Sequence, residues 1–227
     1  MNTHIDNILR IVPDLLTRKI VDIGSGKGAF LIELAKRGVS AIGIEPTSEY
    51  VERSRVIARA EGYATEVKQG TAEHVPLPDA SADFVNIGEV IEHVEDPKRL
   101  LSETYRILRL GGKAYLSSPN RFGLRDQHFH LYGINWMPRS WAHALIGALG
   151  RHKDYSGKAG RQSLVDMHYY TYAGIRRLCE TQQFSVTDIR VEKIKSRYGT
   201  LSFFILPLYK VLRTFYWDSF HLVLEKK

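Results

Sequence analysis

The chain has 227 residues, of which 44% are hydrophobic and 25% charged, and its formal net charge is +7. This length is enough for one large α/β unit with a sizeable core, and the single cysteine, Cys179, excludes an intramolecular disulfide framework. No uninterrupted apolar run reaches the roughly 18 to 20 residues of a membrane-spanning helix. The positive charge predicts attraction to an anionic partner or, alternatively, solubility alone.

Strand-like and helix-like segments alternate along the chain, a pattern typical of a parallel sheet covered by helices. Apolar residues at helical spacing predict a short first helix between Ile5 and Val12. Further helices are predicted over residues 29–37, 47–60 and 98–108, with another opening at Pro138. Strands are predicted over residues 19–23, 40–44, 65–68, 82–87, 113–118, 185–193 and 221–224. The pair Gly111-Gly112 is predicted to end the helix before the fifth strand.

The most informative segment joins the first predicted strand to the helix that follows it. The strand stops at Gly24, Gly26 and Gly28, and glycines there let a ligand approach bare backbone at a helix N-terminus. Asp22, at the end of the strand, can orient the turn or accept a hydrogen bond from a ligand ammonium group. Because Gly24, Gly26 and Ala29 also satisfy the loose dinucleotide fingerprint, the turn alone leaves the kind of adenosine ligand open.

A second acidic residue, Glu45, ends the second predicted strand, about twenty residues after the turn. A carboxylate at this place can accept hydrogen bonds from both hydroxyls of a ribose. Glu45 is therefore predicted to bind the sugar of an adenosine-bearing cofactor, although a surface acid is the simpler alternative.

Four sequence blocks narrow the class of ligand. Residues 22–28, Asp-Ile-Gly-Ser-Gly-Lys-Gly, resemble the first motif of the class I S-adenosylmethionine-dependent methyltransferases. Residues 70–78 resemble the family loop that covers the adenine, and residues 84–94 resemble the block beside the methionine part of the cofactor. Residues 108–113 resemble the turn before strand five. A nicotinamide site would explain the glycine turn and Glu45 but not the later blocks.

The resemblance implies a Rossmann-like, doubly wound sheet of seven strands with the last strand antiparallel. It also implies one methyltransferase domain over residues 1–227, with an acceptor-side insertion at 120–167 and an apolar helical insertion at 197–217 before strand seven. The residues expected to hold S-adenosyl-L-methionine are Asp22, Gly24, Ser25, Gly26, Gly28, Glu45, Pro46, Thr71, Ala72, Glu73, Gly88 and Glu89. Thr71 departs from the family, in which many relatives have an adenine-binding aspartate at this position.

The acceptor is predicted to be an oxygen atom of a small, glycan or lipid-linked molecule. No Asn-Pro-Pro-Tyr-like motif follows strand four, which argues against amino-methylation of DNA bases or glutamine side chains. An oxygen acceptor needs a base, and the candidates are His128 or His130 of the histidine-rich insertion, or His168 just beyond its end. No His-x-x-x-His spacing occurs, so no metal site is predicted. The alternatives are a tailoring methyltransferase for a soluble natural product or sugar, an RNA methyltransferase and a non-catalytic cofactor-binding subunit.

The apolar segment near residues 201–217 bears on the partner of the protein. Five apolar residues of this segment can share one face of a helix: Phe204, Leu208, Val211, Leu212 and Phe215. Lys210 and Arg213 are predicted to lie toward the other face, which favours an interfacial helix at an anionic membrane. A lid or a dimer helix that packs on the sheet is the alternative. Because Asn2 to Asp6 is polar and no cleavage site follows, we expect a cytoplasmic protein, peripheral at the inner face of the membrane if the helix is interfacial. Ubiquinone-biosynthesis O-methyltransferases are distantly similar at Glu92-His93-Val94 and Asn120-Arg121.

Overall fold

A computed structural model describes residues 4–9, 11–151, 163–215 and 217–227. Its strands are β1 (Ile20–Ile23), β2 (Ala41–Glu45), β3 (Glu66–Gln69), β4 (Ala82–Ile87), β5 (Leu108–Pro119), β6 (Phe184–Asp188) and β7 (Ser219–Lys226). Its helices are α1 (His4–Leu9), α2 (Ala29–Ala35), α3 (Ser48–Ala60), α4 (Pro97–Ile107), α5 (Arg139–Ala148), α6 (Tyr172–Thr181), α7 (Ile189–Tyr198) and α8 (Ser202–Leu212).

The seven strands form one sheet in the order β3-β2-β1-β4-β5-β7-β6. Strands β1 to β5 are parallel, and β7 pairs antiparallel with both β5 and β6. The predicted doubly wound fold with an antiparallel last strand is therefore confirmed. The strand order reverses between β1 and β4, and ligands bind at the carboxyl ends of parallel strands at such a switch point.

Apolar side chains alternate along the central strands and build a core on each face of the sheet. Val21 and Ile23 pack on one face with Val85 and Ile87, under α4 and α6. Ile20 faces the other side, where the buried residues Ile5, Ile8, Leu34, Phe84 and Tyr115 complete the second cluster. The buried side chains of α1 therefore contribute to this second core.

Two predicted boundaries are wrong. The sixth strand was expected over 185–193, but it ends at Asp188, whose carboxylate accepts a hydrogen bond from the Arg190 amide and caps α7. The pair Gly111-Gly112 does not end the preceding helix, because that helix stops at Ile107 and both glycines lie inside β5. Gly111 has a φ of +72°, which places the glycine pair at an irregular start of the strand.

The insertion after β5 has a small apolar core of its own within its described residues, formed by Phe129, Ile134, Ala142, Ile146, Leu164 and Met167. Residues 152–162 of this insertion lie outside the described residues. The predicted helix follows Pro138 as α5. Ala142 and Ile146 of α5 are buried in this small core, whereas Trp141, Leu145 and the following Leu149 are exposed.

Candidate active site

A cavity of about 480 Å³ opens at the switch point between β1 and β4, a size that suits a small-molecule ligand. Asp22, Gly24 and Ser25 line it from β1 and the glycine turn, and Gly88 and Glu89 line it from the end of β4. These five residues were all expected at the cofactor site, and the structure brings them together. Further lining residues include Lys27, Phe30, Glu33, Asn86, Tyr115, Ser117, Gln127, Ser219 and His221.

The glycine turn uses its own amides inside the protein. The N–H groups of Gly24 and Ser25 both donate to the carbonyl of Ile44, at 2.8 and 3.1 Å, and that of Gly28 donates to the Ser25 carbonyl. Gly24, Gly26 and Gly28 all have positive φ, as the tight turn requires. These three amides are therefore already used within the protein, and the glycines help a ligand by leaving room for it rather than by donating hydrogen bonds to it.

Glu45 is buried at the end of β2 and holds the turn in place. Its Oε2 accepts from the Gly26 amide at 2.9 Å, and its Oε1 accepts from the Thr47 amide at 3.0 Å. Glu45 does not line the cavity itself, but an ionised carboxylate has about four acceptor positions. Both oxygens therefore keep capacity for the hydroxyls of a ribose.

Asp22 is the most strongly perturbed acid of this cavity. Its side chain is buried, and its Oδ1 accepts a hydrogen bond from the Asn86 amide at 2.7 Å. Burial raises the pKa of the Asp22 carboxyl to about 7, against the lowering effect of Asn86, and the nearby charge of Glu45 raises it further. A cationic ligand group beside this carboxyl would restore its ionised form.

Six further residues expected at the cofactor site do not line the cavity: Gly26, Gly28, Pro46, Thr71, Ala72 and Glu73. Thr71 is exposed, Ala72 is buried, and the Glu73 carboxylate accepts from the Glu95 amide at 3.0 Å. The carbonyl of Pro46 accepts a hydrogen bond from Gln69. Because Glu73 braces a neighbouring turn, its direct role in binding adenine stays a prediction.

The residues present fit S-adenosylmethionine. The Ser25 hydroxyl is buried without a hydrogen-bond partner among the described residues, and Ser25 lines the same cavity as the buried Asp22. Three acids, Asp22, Glu33 and Glu89, line the cavity together with one lysine, Lys27, and one histidine, His221. A cavity with this balance of charge suits a ligand that carries a sulfonium and an ammonium group.

The three histidines predicted as bases do not line this cavity. His128 is buried beside Glu92, His130 is exposed with a φ of +57°, and the His168 ring stacks on Tyr170. His221, on β7, lines the cavity instead, and its Nδ1 lies 2.6 Å from the Tyr115 hydroxyl. Its Nε2 lies 2.9 Å from the Ser219 hydroxyl. Sequence reasoning missed this chain of side chains because only the antiparallel pairing of β5 with β7 brings residues 115 and 221 together.

Glu92, His93 and His128 form a second group of chemically useful side chains. One ligand atom from each lies within 4.8 Å of the other two. Such a group could hold a metal ion, although no metal site was expected. The residues come from two segments some 35 positions apart, so the sequence shows no ligand spacing.

Comparisons with known proteins agree with the fold and with the glycine turn. Residues 21–116 match the family model of the methyltransferase domain. The chain is 28% identical over 196 residues to a demethylmenaquinone methyltransferase of Deinococcus radiodurans, covering 85% of this chain and 74% of the relative. It is 30% identical over 136 residues to a ubiquinone biosynthesis O-methyltransferase of Pseudomonas aeruginosa, covering 59% of this chain and 52% of the relative. The chain thus spans about half the length of that second relative.

A solved structure shows the same fold. An S-adenosylmethionine-dependent methyltransferase from Mesorhizobium loti superimposes with a TM-score of 0.61 at 17% identity, covering 97% of each chain. The family model ends within β5, so the match covers strands β1 to β5, which include the glycine turn and the end of β4. Residues 21–116 therefore match a methyltransferase domain, and the sheet has the fold of an S-adenosylmethionine-dependent methyltransferase.

Proposed function

We propose that this protein transfers the methyl group of S-adenosylmethionine to an oxygen atom of a small, glycan or lipid-linked acceptor. The observation that carries the proposal is the cavity itself, which is lined both by Asp22 and the glycine turn and by the hydrogen-bonded chain Tyr115–His221–Ser219. The names of the two relatives, one of them an O-methyltransferase of ubiquinone biosynthesis, support a small-molecule acceptor.

The chemistry asks mainly for alignment and, at an oxygen acceptor, for a base. The bound cofactor supplies a methyl group already activated by a sulfonium charge, so that a single in-line displacement moves it to the acceptor. Asp22, Gly24, Ser25 and Glu45 would hold the cofactor, with the backbone of Gly88 and Glu89. The acceptor would enter beside Ser117 and Gln127, which line the same cavity.

We assign the proton transfer to Tyr115 and His221. Burial and the charge of Glu89 raise the pKa of the Tyr115 phenol, which keeps it neutral and able to donate to Nδ1 of His221. As the new oxygen–carbon bond forms, the acceptor proton passes to the Tyr115 oxygen and the phenol proton to His221, which becomes an imidazolium. Ser219 orients the ring through Nε2. This position in the cavity favours His221 over His128, His130 and His168 as the base.

Labelled methyl transfer to a cell extract, with lipid and aqueous fractions kept apart, tests the proposed reaction. We expect label in the lipid fraction, and we expect His221→Asn to lower the rate about 10²- to 10⁴-fold, as loss of a general base does. The affinity for S-adenosylhomocysteine should stay unchanged in this variant. Label in the aqueous fraction would support the soluble natural product or sugar, and label released by ribonuclease would overturn the small acceptor. No transfer despite tight binding would leave the non-catalytic subunit.

The apolar ridge of α8 supports a lipid-linked acceptor at an anionic membrane surface. This ridge, exposed in the structure, consists of Phe203, Phe204, Leu208, Val211 and Phe215. The Trp136 ring lies 6.4 Å from that of Phe215, so the ridge continues onto the insertion that borders the cavity. Exposed apolar surface of this extent marks an interaction site. No helix among the described residues has the length and apolar character needed to cross a membrane.

Helix α8 is attached to the rest of the protein by the side of the helix that does not carry the ridge, so the ridge faces outward. Tyr209 is its one buried residue among those described, and the Tyr209 hydroxyl donates to Asp188 at 2.7 Å. Arg213 was expected to edge the apolar stripe, but its guanidinium pairs with Asp188 at 3.3 Å and lies over the Tyr172 ring. The exposure of the ridge residues speaks against their packing on the protein's own sheet, which is the lid alternative. Lys210 remains exposed beside them.

Flotation with vesicles of anionic and neutral phospholipid tests the membrane role. We expect the protein to float with anionic vesicles at low salt, and Phe203→Ser/Phe204→Ser to weaken binding at least tenfold, because each buried phenyl contributes roughly 1.5 to 3 kcal/mol. Leu110→Ser is the matched control, because it removes a similarly exposed apolar side chain near the start of β5, outside the ridge. Failure to float, with a dimer seen by light scattering, would assign the ridge to a second copy of the chain.

A further inference from the structure

Glu92 is a buried carboxylate that the protein alone does not satisfy. It is fully buried, and neither carboxylate oxygen has a hydrogen-bond partner in the described part of the chain. Buried carboxylates are ordinarily paired or bound to a metal, because an uncompensated buried charge costs several kcal/mol. The environment of this carboxylate is therefore the place to look for a ligand.

Two imidazoles face the carboxylate at distances that suit a shared metal ion. Oε1 of Glu92 lies 3.4 Å from Nε2 of His128 and 3.8 Å from Nε2 of His93. A charge-assisted hydrogen bond would measure roughly 2.7 to 2.9 Å. Ligand atoms bound tetrahedrally at about 2.0 to 2.2 Å from an ion are instead about 3.3 to 3.6 Å apart. The two measured separations are thus closer to the distance between two ligand atoms of the same metal ion than to the length of a charge-assisted hydrogen bond.

The surroundings hold His128 in this position. The Asp126 carboxylate accepts from the amides of His128 and Phe129, at 2.9 and 2.7 Å, and from the Tyr169 hydroxyl at 2.8 Å. The His168 amide donates to the backbone carbonyl of Glu92 at 3.0 Å. The His93 and His128 rings meet edge to face with their centroids 5.0 Å apart. Both segments are therefore fixed by bonds other than those of the three candidate ligands.

We propose that Glu92, His93 and His128 bind one divalent transition-metal ion of the zinc class. Two imidazoles and one carboxylate are a common three-ligand set for zinc and leave a fourth position for water or another ligand. Imidazole ligands favour such ions over magnesium or calcium, which prefer oxygen. The ion compensates the buried Glu92 charge.

The place of the site in the fold gives the ion a consequence. Glu92 and His93 follow β4, a few residues after Gly88 and Glu89, and His128 follows Gln127 in the insertion after β5. Gly88, Glu89 and Gln127 line the cavity from these two segments. The metal ion joins them, so it fixes the insertion against the cofactor side of the cavity. This inference does not depend on the identity of the acceptor.

Calorimetric titration of chelator-treated protein with Zn²⁺ tests the site, and the visible spectrum of added Co²⁺ reports its geometry. We expect one ion per chain and a four- or five-coordinate Co²⁺ spectrum. Glu92→Gln and His128→Asn should each weaken Zn²⁺ binding more than the roughly 10- to 100-fold that loss of an outer-shell partner causes. His130→Asn and His168→Asn are the matched controls and should bind Zn²⁺ as the unchanged protein does.

Each other outcome decides against the site. Absence of binding at micromolar Zn²⁺, or equal binding by Glu92→Gln and His128→Asn, would show that the cluster is a buried ion pair. Preferential binding of Mg²⁺, with an octahedral Co²⁺ spectrum, would contradict the zinc class. The less buried His93 supplies a further variant, His93→Asn, if the two buried substitutions prevent folding. Titration of the same samples with S-adenosylhomocysteine tests the proposed function separately, because none of the three candidate metal ligands lines the cavity.

Discussion

Asp22→Asn is expected to stabilise the protein by about 2 to 4 kcal/mol at pH 8. The pKa of the buried carboxyl is raised to about 7 in the folded protein, compared with about 3.9 in an unfolded chain. Below about pH 4 the carboxyl is protonated in both states and contributes no difference. Between pH 4 and 7 only the folded state holds the proton, so stability falls by about 1.4 kcal/mol per pH unit and stays low above pH 7.

Urea unfolding of both proteins from pH 4 to 8 measures this difference. The asparagine amide can still accept the hydrogen bond of Asn86, so the gain should vanish toward pH 4 and grow as the pH rises. Asp166→Asn, which changes an exposed acid, is the control and should not alter the pH dependence. Parallel stability curves for the original protein and Asp22→Asn would contradict the raised pKa.

The same substitution should weaken cofactor binding, because an ionised carboxylate that binds an ammonium group is worth roughly 1.5 to 3 kcal/mol. We expect the dissociation constant for S-adenosylhomocysteine to rise about 10- to 150-fold. At pH 6.5 the original protein should release a proton when it binds this ligand, and the heat should then depend on the ionisation enthalpy of the buffer. Loss of stability together with unchanged affinity would assign Asp22 a structural role only.

Gly28→Ala is expected to destabilise the protein by about 2 to 5 kcal/mol. Gly28 is the N-cap residue of α2 and has a φ of +81°. An added Cβ would lie 2.1 Å from the Ser54 hydroxyl oxygen and 3.1 Å from the Ser54 Cβ. The left-handed conformation costs an alanine about 1 to 2 kcal/mol, and overpacking typically adds 1 to 3 kcal/mol. Close packing of α2 on α3 therefore requires a glycine at this position.

A pair of control variants separates the two contributions to this loss. Gly38→Ala has a similar φ of +75° just beyond the other end of α2, but its Cβ would meet no atom within 4 Å, so it should cost only the conformational part. The Ser54 hydroxyl is buried without a partner in the described residues, so Ser54→Ala alone should be nearly neutral. Combined with Gly28→Ala it should restore part of the lost stability in urea unfolding. Equal losses for Gly28→Ala and Gly38→Ala would contradict the steric argument.

Local patterns predicted the cofactor half of the molecule well. The strand, glycine turn and helix that include Asp22 and Gly28 are contiguous, and contiguous signals of period and turn chemistry are the ones a sequence carries most directly. The predicted end of β2 at Glu45 was likewise confirmed. The bonds from Glu45 to Gly26 and Thr47 were not foreseen, because the same carboxylate could have been turned to a ligand.

Features that depend on distant pairing were missed for a common physical reason. Tyr115 and His221 meet only through the register of β5 with β7, and Glu92 meets His128 only through the packing of the insertion. Arg213 contacts Asp188 and the Tyr172 ring instead of edging the apolar stripe. A helical wheel drawn from the sequence of α8 alone cannot show these contacts, because both partners lie elsewhere in the chain. Strand β6 ends at Asp188, earlier than predicted, because the Asp188 carboxylate caps the next helix. The β-prone residues alone had indicated a longer strand.

The position of β7 between β5 and β6 also sets the order in which the chain can fold during synthesis. Strands β1 to β5 can pair as soon as residues 20–119 have left the ribosome, since each finds its neighbour among residues already made. Strand β6 cannot join them, because its partner in the sheet is β7, which comes last. Until residues 219–226 emerge, β5 has an unpaired edge, and the Tyr115 hydroxyl cannot yet form its hydrogen bond with His221. The half that carries the glycine turn can thus form before the residues assigned to proton transfer are complete.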